Sequence, residues 1–367
     1  MKKTNKVNAL YVHIPFCQHI CHYCDFPKLQ YFRLFAEKYI DSLIKEITHV
    51  VDNKDLSTIY IGGGTPTSLD DDLFEKLLSF LSNYAQKVKE YTIEANPESL
   101  NEHKIQLLKK YGVNRISIGV ESTDNKILEE IGRKHTFEDV QKVVELLRQN
   151  GLDNINLDLI LGLPNVTDEM VKKDINNILM LKPKHISTYS LTVHEHTMFY
   201  LNAQKEPSED FSRSLYDLVH TLLLLHGYEH YEISNFALPG YQSKHNLVYW
   251  RNEQYYGCGL GAAGYIGNTR YKNTTNLNRY LKGDYIEEKE VLNEHDIEVY
   301  QVMLNLRTSE GLDLDAYKTL FNKDLYQEKK KEIDELVAQK YLYIHQNRLI
   351  PTYSGMMILD QIILKLI

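Results

Sequence analysis

The first two-thirds of the chain alternate strand-like and helix-like segments, and this alternation restricts the fold more than any other feature. The strand-like segments are short runs of apolar and β-branched residues, at Leu10–Ile14, Thr58–Ile61, Tyr91–Ala95, Ile116–Val120, Ile155–Ile160 and Ile186–Leu191. The segments between them have helical length and period, as at Leu34–Val50, Leu73–Tyr84, Lys104–Lys110, Val140–Gln149 and Met170–Met180. Six successive βα units predict an α/β protein with a parallel sheet, doubly wound or curled into a full or partial barrel.

The remaining third of the chain follows a different pattern. A helical run at Phe211–Leu225 precedes Tyr228–Asn235, which alternates like an edge strand, and the glycine-rich Gly257–Gly264 is expected to turn the chain. Helical patterns then surround two short strands, at Ile297–Leu306, Leu314–Leu320, Lys329–Gln339, Tyr341–Ile344, Arg348–Pro351 and Met356–Leu366. We therefore predict a core with a β extension, a charged linker and a small winged-helix-like domain, over residues 1–282, 283–294 and 295–367.

The composition is that of an ordinary globular protein. Of 367 residues, 43% are hydrophobic and 25% charged, and the net charge of −8 argues against bulk nucleic-acid binding. The first residues lead into a strand rather than an apolar signal segment, and no apolar run reaches the ~18 residues of a membrane span. We therefore expect a soluble protein of the cytoplasm, a reducing compartment that also suits clustered free cysteines.

Three of the four cysteines lie within eight residues, directly after the first strand. Cys17, Cys21 and Cys24 have the spacing C-x3-C-x2-C, and three thiolates this close suit a metal ion or an iron–sulfur cluster. A four-coordinate structural zinc site is the alternative. Its fourth ligand would be a nearby histidine, His13, His19 or His22.

Polar residues and glycines follow the other strands, at the rim where the carboxyl ends of parallel strands meet. They are Gly62-Gly63-Gly64-Thr65, Glu94, Glu121, Asp158 and Ser190. A triple glycine bares backbone groups that can hold an amino-acid zwitterion, and acidic residues at strand ends suit ribose hydroxyls. An amino-acid head and a ribose together describe S-adenosylmethionine, a cofactor of radical chemistry.

The motifs YVHIPFC, GGGTPT, GVES, GRKHT and LDLILGLP resemble the radical S-adenosylmethionine superfamily, in the branch of oxygen-independent coproporphyrinogen III oxidase. The resemblance runs from Tyr11 to about Arg270 and extends to a C-terminal domain of similar type. It implies a partial (β/α)6 TIM-like barrel with a β extension. It also implies a [4Fe–4S] cluster on Cys17, Cys21 and Cys24, whose fourth iron takes the amino and carboxylate groups of S-adenosylmethionine.

The resemblance further implies a role for each matching residue around that cofactor. Tyr11 and Tyr23 would pack beside the cluster and cofactor. The methionine moiety would meet Gly63, Gly64, Thr65 and Glu94, with Arg133 facing its carboxylate. The ribose would be held by Glu121 and Asp158, and Ser190 would lie near the adenine.

Two features favour the HemW group of heme chaperones over the oxidase itself. Phe26 stands where the oxidase has a further cysteine, and His245-Asn246-Leu-Val-Tyr249-Trp250 resembles a segment that the group associates with heme binding. The resemblance therefore implies that His245 binds heme. The alternative is that His245 belongs to a hydrogen-bonded network that fixes a loop. We expect His194 to be a substitution at the protein surface. We expect Cys258 to be a buried thiol in a glycine-rich turn.

The leading interpretation is a chaperone without oxidase activity that delivers heme to respiratory hemoproteins. The expected partners are heme, those recipient hemoproteins, the inner face of the cytoplasmic membrane and a second copy of the chain; nucleic acid is not expected. The second hypothesis is an enzyme that oxidatively decarboxylates coproporphyrinogen III by hydrogen abstraction.

Overall fold

A computed structural model describes residues 6–367. The strands within this range are β1 Ala9–Ile14, β2 Phe16–Cys17, β3 Leu29–Gln30, β4 Thr58–Gly63, β5 Glu90–Ala95, β6 Arg115–Glu121, β7 Ile155–Leu161, β8 His185–Ser190, β9 Glu229–Glu232, β10 Asn235–Ala237, β11 Tyr256–Cys258, β12 Ala263–Ile266, β13 Thr269–Asn273, β14 Ile286–Val291, β15 Leu312–Asp313, β16 Leu342–His345 and β17 Arg348–Pro351.

The α-helices are α1 Arg33–Val50, α2 Asp71–Leu81, α3 Glu102–Lys110, α4 Asn125–Glu130, α5 Phe137–Gln149, α6 Asp168–Met180, α7 Met198–Leu201, α8 Glu209–Leu225, α9 Lys244–Trp250, α10 Leu277–Leu281, α11 Glu294–Asn305, α12 Leu314–Phe321, α13 Leu325–Glu328, α14 Lys330–Ala338, α15 Tyr353–Met356 and α16 Leu359–Leu366. Single 3₁₀ turns lie at Pro66–Ser68, Ser82–Tyr84 and Pro97–Ser99.

The six predicted strands form neighbouring members of one nine-stranded sheet, in the order β11-β1-β4-β5-β6-β7-β8-β10-β9. The strands from β11 to β8 run parallel, and β10 and β9 are antiparallel at the far edge. Helices connect the successive parallel strands from β4 to β8, as parallel pairing requires a crossover connection. The predicted α/β architecture, a partial barrel of six βα units, is confirmed.

Two stretches of the sheet differ from the prediction. The glycine-rich segment predicted as a turn contains β11, which pairs in parallel with β1 although about 245 residues separate them. A side chain at Gly257 would overlap the carbonyl of Ala263, so glycine permits this strand to fold back against the next turn. The predicted single edge strand is two antiparallel strands, β9 and β10, which turn at residues 233–234.

Side chains on the parallel strands divide the sheet into an apolar face and a polar face. Ile59, Ile93, Ile116 and Leu157 are fully buried in one core cluster together with residues of the helices. Their neighbours along each strand point the other way and line a cavity, as Tyr60, Glu94, Arg115, Ser117, Asn156 and Asp158 do. A closed barrel usually fills its interior with branched apolar side chains. A polar lining therefore indicates an interior built around a ligand.

The charged segment predicted as a linker, residues 283–294, contains the strand β14. It pairs antiparallel with β13, which in turn pairs with β12, so the segment completes a three-stranded sheet. The linker prediction is wrong for residues 286–291, because a two-faced exposed strand has the charged composition of a linker. Its backbone hydrogen bonds hold it in the β extension.

The C-terminal residues build a second apolar core. It gathers residues of α11, α12, α14 and α16 around the small sheet β15-β17-β16. Leu359, Ile362 and Ile363 of the very apolar last helix are buried in this core, as predicted. The exact domain boundaries stay a prediction. Among residues 6–367, no helix combines the length and apolar character of a membrane span.

Candidate functional site

The cysteine loop is held against the sheet by backbone hydrogen bonds. The N–H of Tyr31 donates to the carbonyl of Cys17 (2.8 Å), and the N–H of His22 donates to the carbonyl of Ile131 (3.0 Å). Cys17 is buried, Cys21 and Cys24 are partly exposed, and all three are free thiols. They line one wall of a cavity of about 430 Å³.

The triple glycine lets three functional groups approach one strand end. A side chain at Gly62 would lie 2.8 Å from the carboxylate of Glu94, and one at Gly64 would lie 2.8 Å from the sulfur of Cys17. Gly63 has φ +117°, and a side chain there would meet the ring of His13 at 2.7 Å. Close packing therefore favours glycine at all three positions, and the backbone conformation favours it at Gly63 as well.

The carboxylate of Glu94 lies inside the cavity and is fixed at both oxygens. Oε1 accepts a hydrogen bond from the hydroxyl of Tyr60 (2.7 Å), and Oε2 accepts one from the N–H of Gly63 (2.9 Å). Burial raises the pKa of Glu94 to about 7, against the two hydrogen bonds, which lower it. The group therefore exchanges a proton near neutral pH.

Glu121 and Arg133 form a buried pair beside Cys21. Glu121 has φ 66°, an uncommon conformation for a residue other than glycine, and this conformation accompanies a register shift between β6 and β7. Arg133 Nη2 lies 3.5 Å from Glu121 Oε1 and donates to the carbonyl of Gly119, while Nη1 lies 3.6 Å from the sulfur of Cys21. Burial raises the pKa of Glu121 to about 7, and the Arg133 charge opposes that rise.

Asp158 lies on the adjacent strand and accepts hydrogen bonds at both oxygens. Asn156 Nδ2 donates to Oδ1 (2.7 Å), and the hydroxyl of Ser117 donates to Oδ2 (3.1 Å). Burial raises its pKa, and these hydrogen bonds counter the rise. Three carboxyl groups with raised pKa values, together with the buried arginines, make the cavity strongly polar.

The cavity brings together all but two of the predicted site residues. Its lining includes Cys17, Cys21, Tyr23, Cys24, Gly63, Gly64, Thr65, Glu94, Glu121, Arg133, Asp158 and Ser190. Tyr11 and His245 do not line it. They line a neighbouring cavity of about 330 Å³ instead. We call the two spaces the cysteine cavity and the aromatic cavity.

The aromatic cavity shares a wall with the cysteine cavity. Tyr60, Glu94, Tyr189 and Asn246 line both spaces. The remaining lining consists of Tyr11, Glu232, Ser234, Asn235, His245, Tyr249 and Trp250. Helix α9 supplies four of these side chains, so the segment that resembles the HemW group faces a pocket rich in aromatic rings.

His245 is fully buried, and both of its ring nitrogens are engaged. Nδ1 lies 2.8 Å from the hydroxyl of Thr58, and Nε2 lies 2.8 Å from the hydroxyl of Tyr249. Its backbone N–H donates to the carboxylate of Glu90, a buried residue of β5 that lies beside the first turn of α9. Burial lowers the pKa of His245 to about 3. These contacts favour the network interpretation of His245 over the heme-ligand interpretation, since iron binding would cost a hydrogen bond.

Two other histidines near the cysteines, His13 and His22, are also engaged in hydrogen bonds, whereas His19 lines the cysteine cavity. His13 Nε2 donates to the carbonyl of Pro27 (2.8 Å) and Nδ1 accepts from the hydroxyl of Tyr11 (2.9 Å), while His22 Nδ1 lies 2.9 Å from the carbonyl of Glu130. Within the described range, no three His, Cys, Asp or Glu side chains converge as the ligands of one metal ion would. This arrangement gives no support to the zinc alternative.

Two further predicted positions have clear surroundings. His194 is exposed, as predicted, and its ring lies 3.3 Å from Asp25 of the cysteine loop, at the edge of the cysteine cavity. Cys258 is buried, as predicted, but it lies in the strand β11 rather than in a turn.

Some cavity residues were not predicted. Tyr60, Arg115 and Asn156 lie on or directly before the predicted strands, away from their carboxyl ends, at polar positions that alternate with the apolar ones. The alternation of polar and apolar residues along these strands is the sequence signal that could have identified them. In a parallel sheet covered on one face by helices, regular polar positions must face an interior space.

Known proteins that resemble the chain define its class. The sequence profile of the Radical SAM superfamily matches residues 11–178, and that of the HemN C-terminal domain matches residues 298–358. The fold also matches the coproporphyrinogen III oxidase HemN of Escherichia coli, with a TM-score of 0.84 at 22% identity over 98% of this chain and 90% of that one. The fold and the cysteine cavity are thus those of a radical S-adenosylmethionine protein with a HemN-type C-terminal domain.

Two curated relatives place the chain more narrowly. It is 41% identical to the heme chaperone HemW of Lactococcus lactis, over 95% of this chain and 94% of the relative. It is 40% identical to the HemW of Bacillus subtilis, over 87% and 88% of the two chains. The chain belongs to the HemW family.

The radical S-adenosylmethionine superfamily implies a [4Fe–4S] cluster and S-adenosylmethionine, and the residues around the cysteine loop fit them. The hydroxyl of Thr65 lies 3.5 Å from the sulfur of Cys17, and Arg133 directs a donor at the sulfur of Cys21. Hydrogen-bond donors aimed at sulfur suit thiolate ligands. The cluster supplies electron-transfer chemistry when bound, and the chain supplies its thiolates and a polar chamber beside them.

Proposed function

We propose that the protein is a heme chaperone: it binds heme and passes it to respiratory hemoproteins. The observation that carries this proposal is the aromatic cavity, in which tyrosines and the tryptophan of α9 border a pocket next to the cysteine cavity. Flat aromatic rings pack well against a porphyrin plane. The curated HemW relatives carry the name of heme chaperones, and the identity to them supports the same cargo here.

The cysteine cavity would hold the cluster and cofactor. In this proposal Cys17, Cys21 and Cys24 ligate the [4Fe–4S] cluster, and Gly63, Gly64, Thr65 and Glu94 contact the methionine moiety. Arg133 faces its carboxylate, Glu121 and Asp158 hold the ribose, and Tyr23 and Ser190 border the cofactor. The hydrogen bonds of Glu94 and Asp158 hold their carboxylates inside the chamber, which supports these assignments.

Heme would lie against the aromatic cavity, with Trp250 and Tyr249 as its packing surface. In this proposal His245 belongs to the network that fixes α9 and does not ligate the iron, because both of its ring nitrogens already have partners inside the protein. Tyr11 belongs to this cavity through its ring, which lies 6.1 Å from that of Tyr60. Heme would therefore be held chiefly by packing against aromatic rings, and its iron would be bound by a group other than a free histidine.

Heme titration tests the proposal. Trp250 is the single tryptophan of the chain, so its fluorescence reports on this one place while the Soret band reports on the heme. We expect both signals to saturate at the same heme concentration. Trp250→Leu is expected to weaken heme binding at least several-fold, and Phe80→Leu, an aromatic substitution in a partly buried helix, serves as the matched control.

Absence of saturable heme binding by the unaltered protein would falsify the chaperone proposal. Formation of protoporphyrinogen from coproporphyrinogen III by the reconstituted protein under anaerobic conditions would instead establish the oxidase. Transfer is then tested by mixing heme-loaded protein with an apo-hemoprotein and following the Soret band of the acceptor.

A further inference from the structure

The guanidinium of Arg115 is a buried cation that makes no hydrogen bond or ion pair with any residue in the range 6–367. The side chain is 2% exposed, and its Nε has no acceptor. It nevertheless lines the cysteine cavity. Arg133, the other arginine of that cavity, also has an Nε without an acceptor, but its two terminal nitrogens meet Glu121, a backbone carbonyl and the sulfur of Cys21. Arg115 is thus the cavity arginine whose donors are left free.

A buried guanidinium without a partner is costly, because its five N–H donors lose water and gain nothing. The nearby carboxylates do not meet this need. Glu94 accepts from Tyr60 and Gly63, and Asp158 accepts from Asn156 and Ser117. Neither carboxylate lies within ion-pair distance of Arg115. The free donors therefore point to an anionic ligand group inside the chamber.

The position of Arg115 separates it from the cofactor end of the chamber. It is the first residue of β6, whereas Glu121 is the last, so five residues and roughly 20 Å of strand lie between their backbones. The cysteine loop and Arg133 lie at the Glu121 end. The carboxylate that Arg133 would face therefore lies at the opposite end of β6 from the backbone of Arg115.

Arg115 lies close to the wall that the two cavities share. It lines the cysteine cavity together with the four residues of that wall, Tyr60, Glu94, Tyr189 and Asn246, although it does not line the aromatic cavity itself. Its charge also lowers the pKa of His245, which lines the aromatic cavity. A ligand in the aromatic cavity with an acidic arm would bring an anion to this side. Arginine suits such an arm because its planar guanidinium binds a carboxylate in bidentate fashion.

We propose that Arg115 binds a carboxylate of a tetrapyrrole, one of the propionates of heme, across the wall shared by the two cavities. This inference rests on the proposed chaperone function and names the group that fixes the orientation of its cargo. The ring packs on Trp250 and Tyr249, and the propionate meets the guanidinium. Arg115 would then orient the cargo, and the aromatic rings would supply most of the contact area.

The test compares heme with heme dimethyl ester, in which both carboxylates are masked, on the unaltered protein and on two variants. We expect the ester to bind the unaltered protein about 10- to 100-fold more weakly than heme, as for the loss of a charged hydrogen bond. Arg115→Gln should weaken heme binding by a similar factor and leave ester binding unchanged. Arg115→Lys keeps the charge and should restore part of the affinity.

Each outcome decides the matter. Equal affinities of heme and ester for the unaltered protein, which need no substitution to measure, would overturn the proposal. So would an Arg115→Gln variant that loses both ligands equally, or one that loses S-adenosylmethionine rather than heme. If the unaltered protein binds no heme, the chaperone function and this assignment fall together; if it binds heme regardless of Arg115, only this assignment falls.

Discussion

The cysteine cavity and the aromatic cavity share a wall but are built by different means. The first is lined by carboxylates, arginines and thiols at the ends of parallel strands, and the second by rings from α9 and the sheet. The first therefore selects by charge and hydrogen bonds, and the second by packing area. The difference indicates two ligands of unlike chemistry rather than one large ligand.

The largest expected effect separates the two cavities outright. Cys21→Ser should abolish the brown colour and the absorbance near ~400 nm of the reconstituted protein, because a three-thiolate cluster site loses a ligand. Heme affinity should change little, since Cys21 does not line the aromatic cavity. Iron analysis and heme titration on one sample measure both. Retention of zinc without iron in the unaltered protein would contradict the cluster assignment.

His245→Ala tests whether the histidine of the aromatic cavity is structural. Removing a fully buried ring leaves the hydroxyls of Thr58 and Tyr249 without their partner, so the free energy of unfolding should fall by about 2–4 kcal/mol. Denaturant unfolding measures this. Thr58→Val, which breaks one of the two hydrogen bonds, should lower it by about 1 kcal/mol.

The Soret band distinguishes the two roles of His245 in the same variant. A structural role leaves the position of the band unchanged, whereas loss of an axial ligand shifts it. A shifted band with an unchanged free energy of unfolding would restore His245 as a heme ligand.

Glu94→Gln tests the charge of the shared wall. The pKa of Glu94 is about 7 in the fold, above the ordinary value of 4.5, so ionisation opposes folding. Its destabilising effect is absent below pH 4.5, grows as the pH rises to 7, and reaches roughly 3 kcal/mol above that. In the absence of ligands, the free energy of unfolding of Glu94→Gln should therefore exceed that of the unaltered protein at pH 8 but not at pH 5. An equal difference at both pH values would contradict this assignment.

Asn246→Ala should give the smallest effect and should touch both cavities. The side chain lines each space, so the affinities for S-adenosylmethionine and for heme should both fall about 2- to 5-fold. Isothermal titration with each ligand measures this. Val248→Ala on the same helix, outside both linings, is the control. A loss confined to one ligand would show that the wall is not shared in solution.

The sequence was sufficient for the six parallel βα units and for the strand-end residues of the cysteine cavity. Both depend on local patterns: alternating βα units determine a parallel sheet, and residues at successive strand ends must share a rim. Glu94, Glu121 and Asp158 were found in this way, and they line one space.

The aromatic cavity was harder to predict because it depends on contacts between distant segments. The ring of His245 meets Thr58, and β11 pairs with β1, across separations of 187 and about 245 residues. No local pattern encodes such pairings. The free guanidinium of Arg115 is likewise visible only once every neighbouring acceptor has been placed.

The wall of Tyr60, Glu94, Tyr189 and Asn246 has a consequence for how the two occupants influence each other. A ligand that moves or protonates any of these side chains changes the affinity of the neighbouring site. Thermodynamic linkage makes that influence reciprocal: the factor by which S-adenosylmethionine alters heme affinity equals the factor by which heme alters cofactor affinity. If both proposed ligands bind, heme loading can therefore be measured through the affinity for S-adenosylmethionine, and cofactor binding through the affinity for heme.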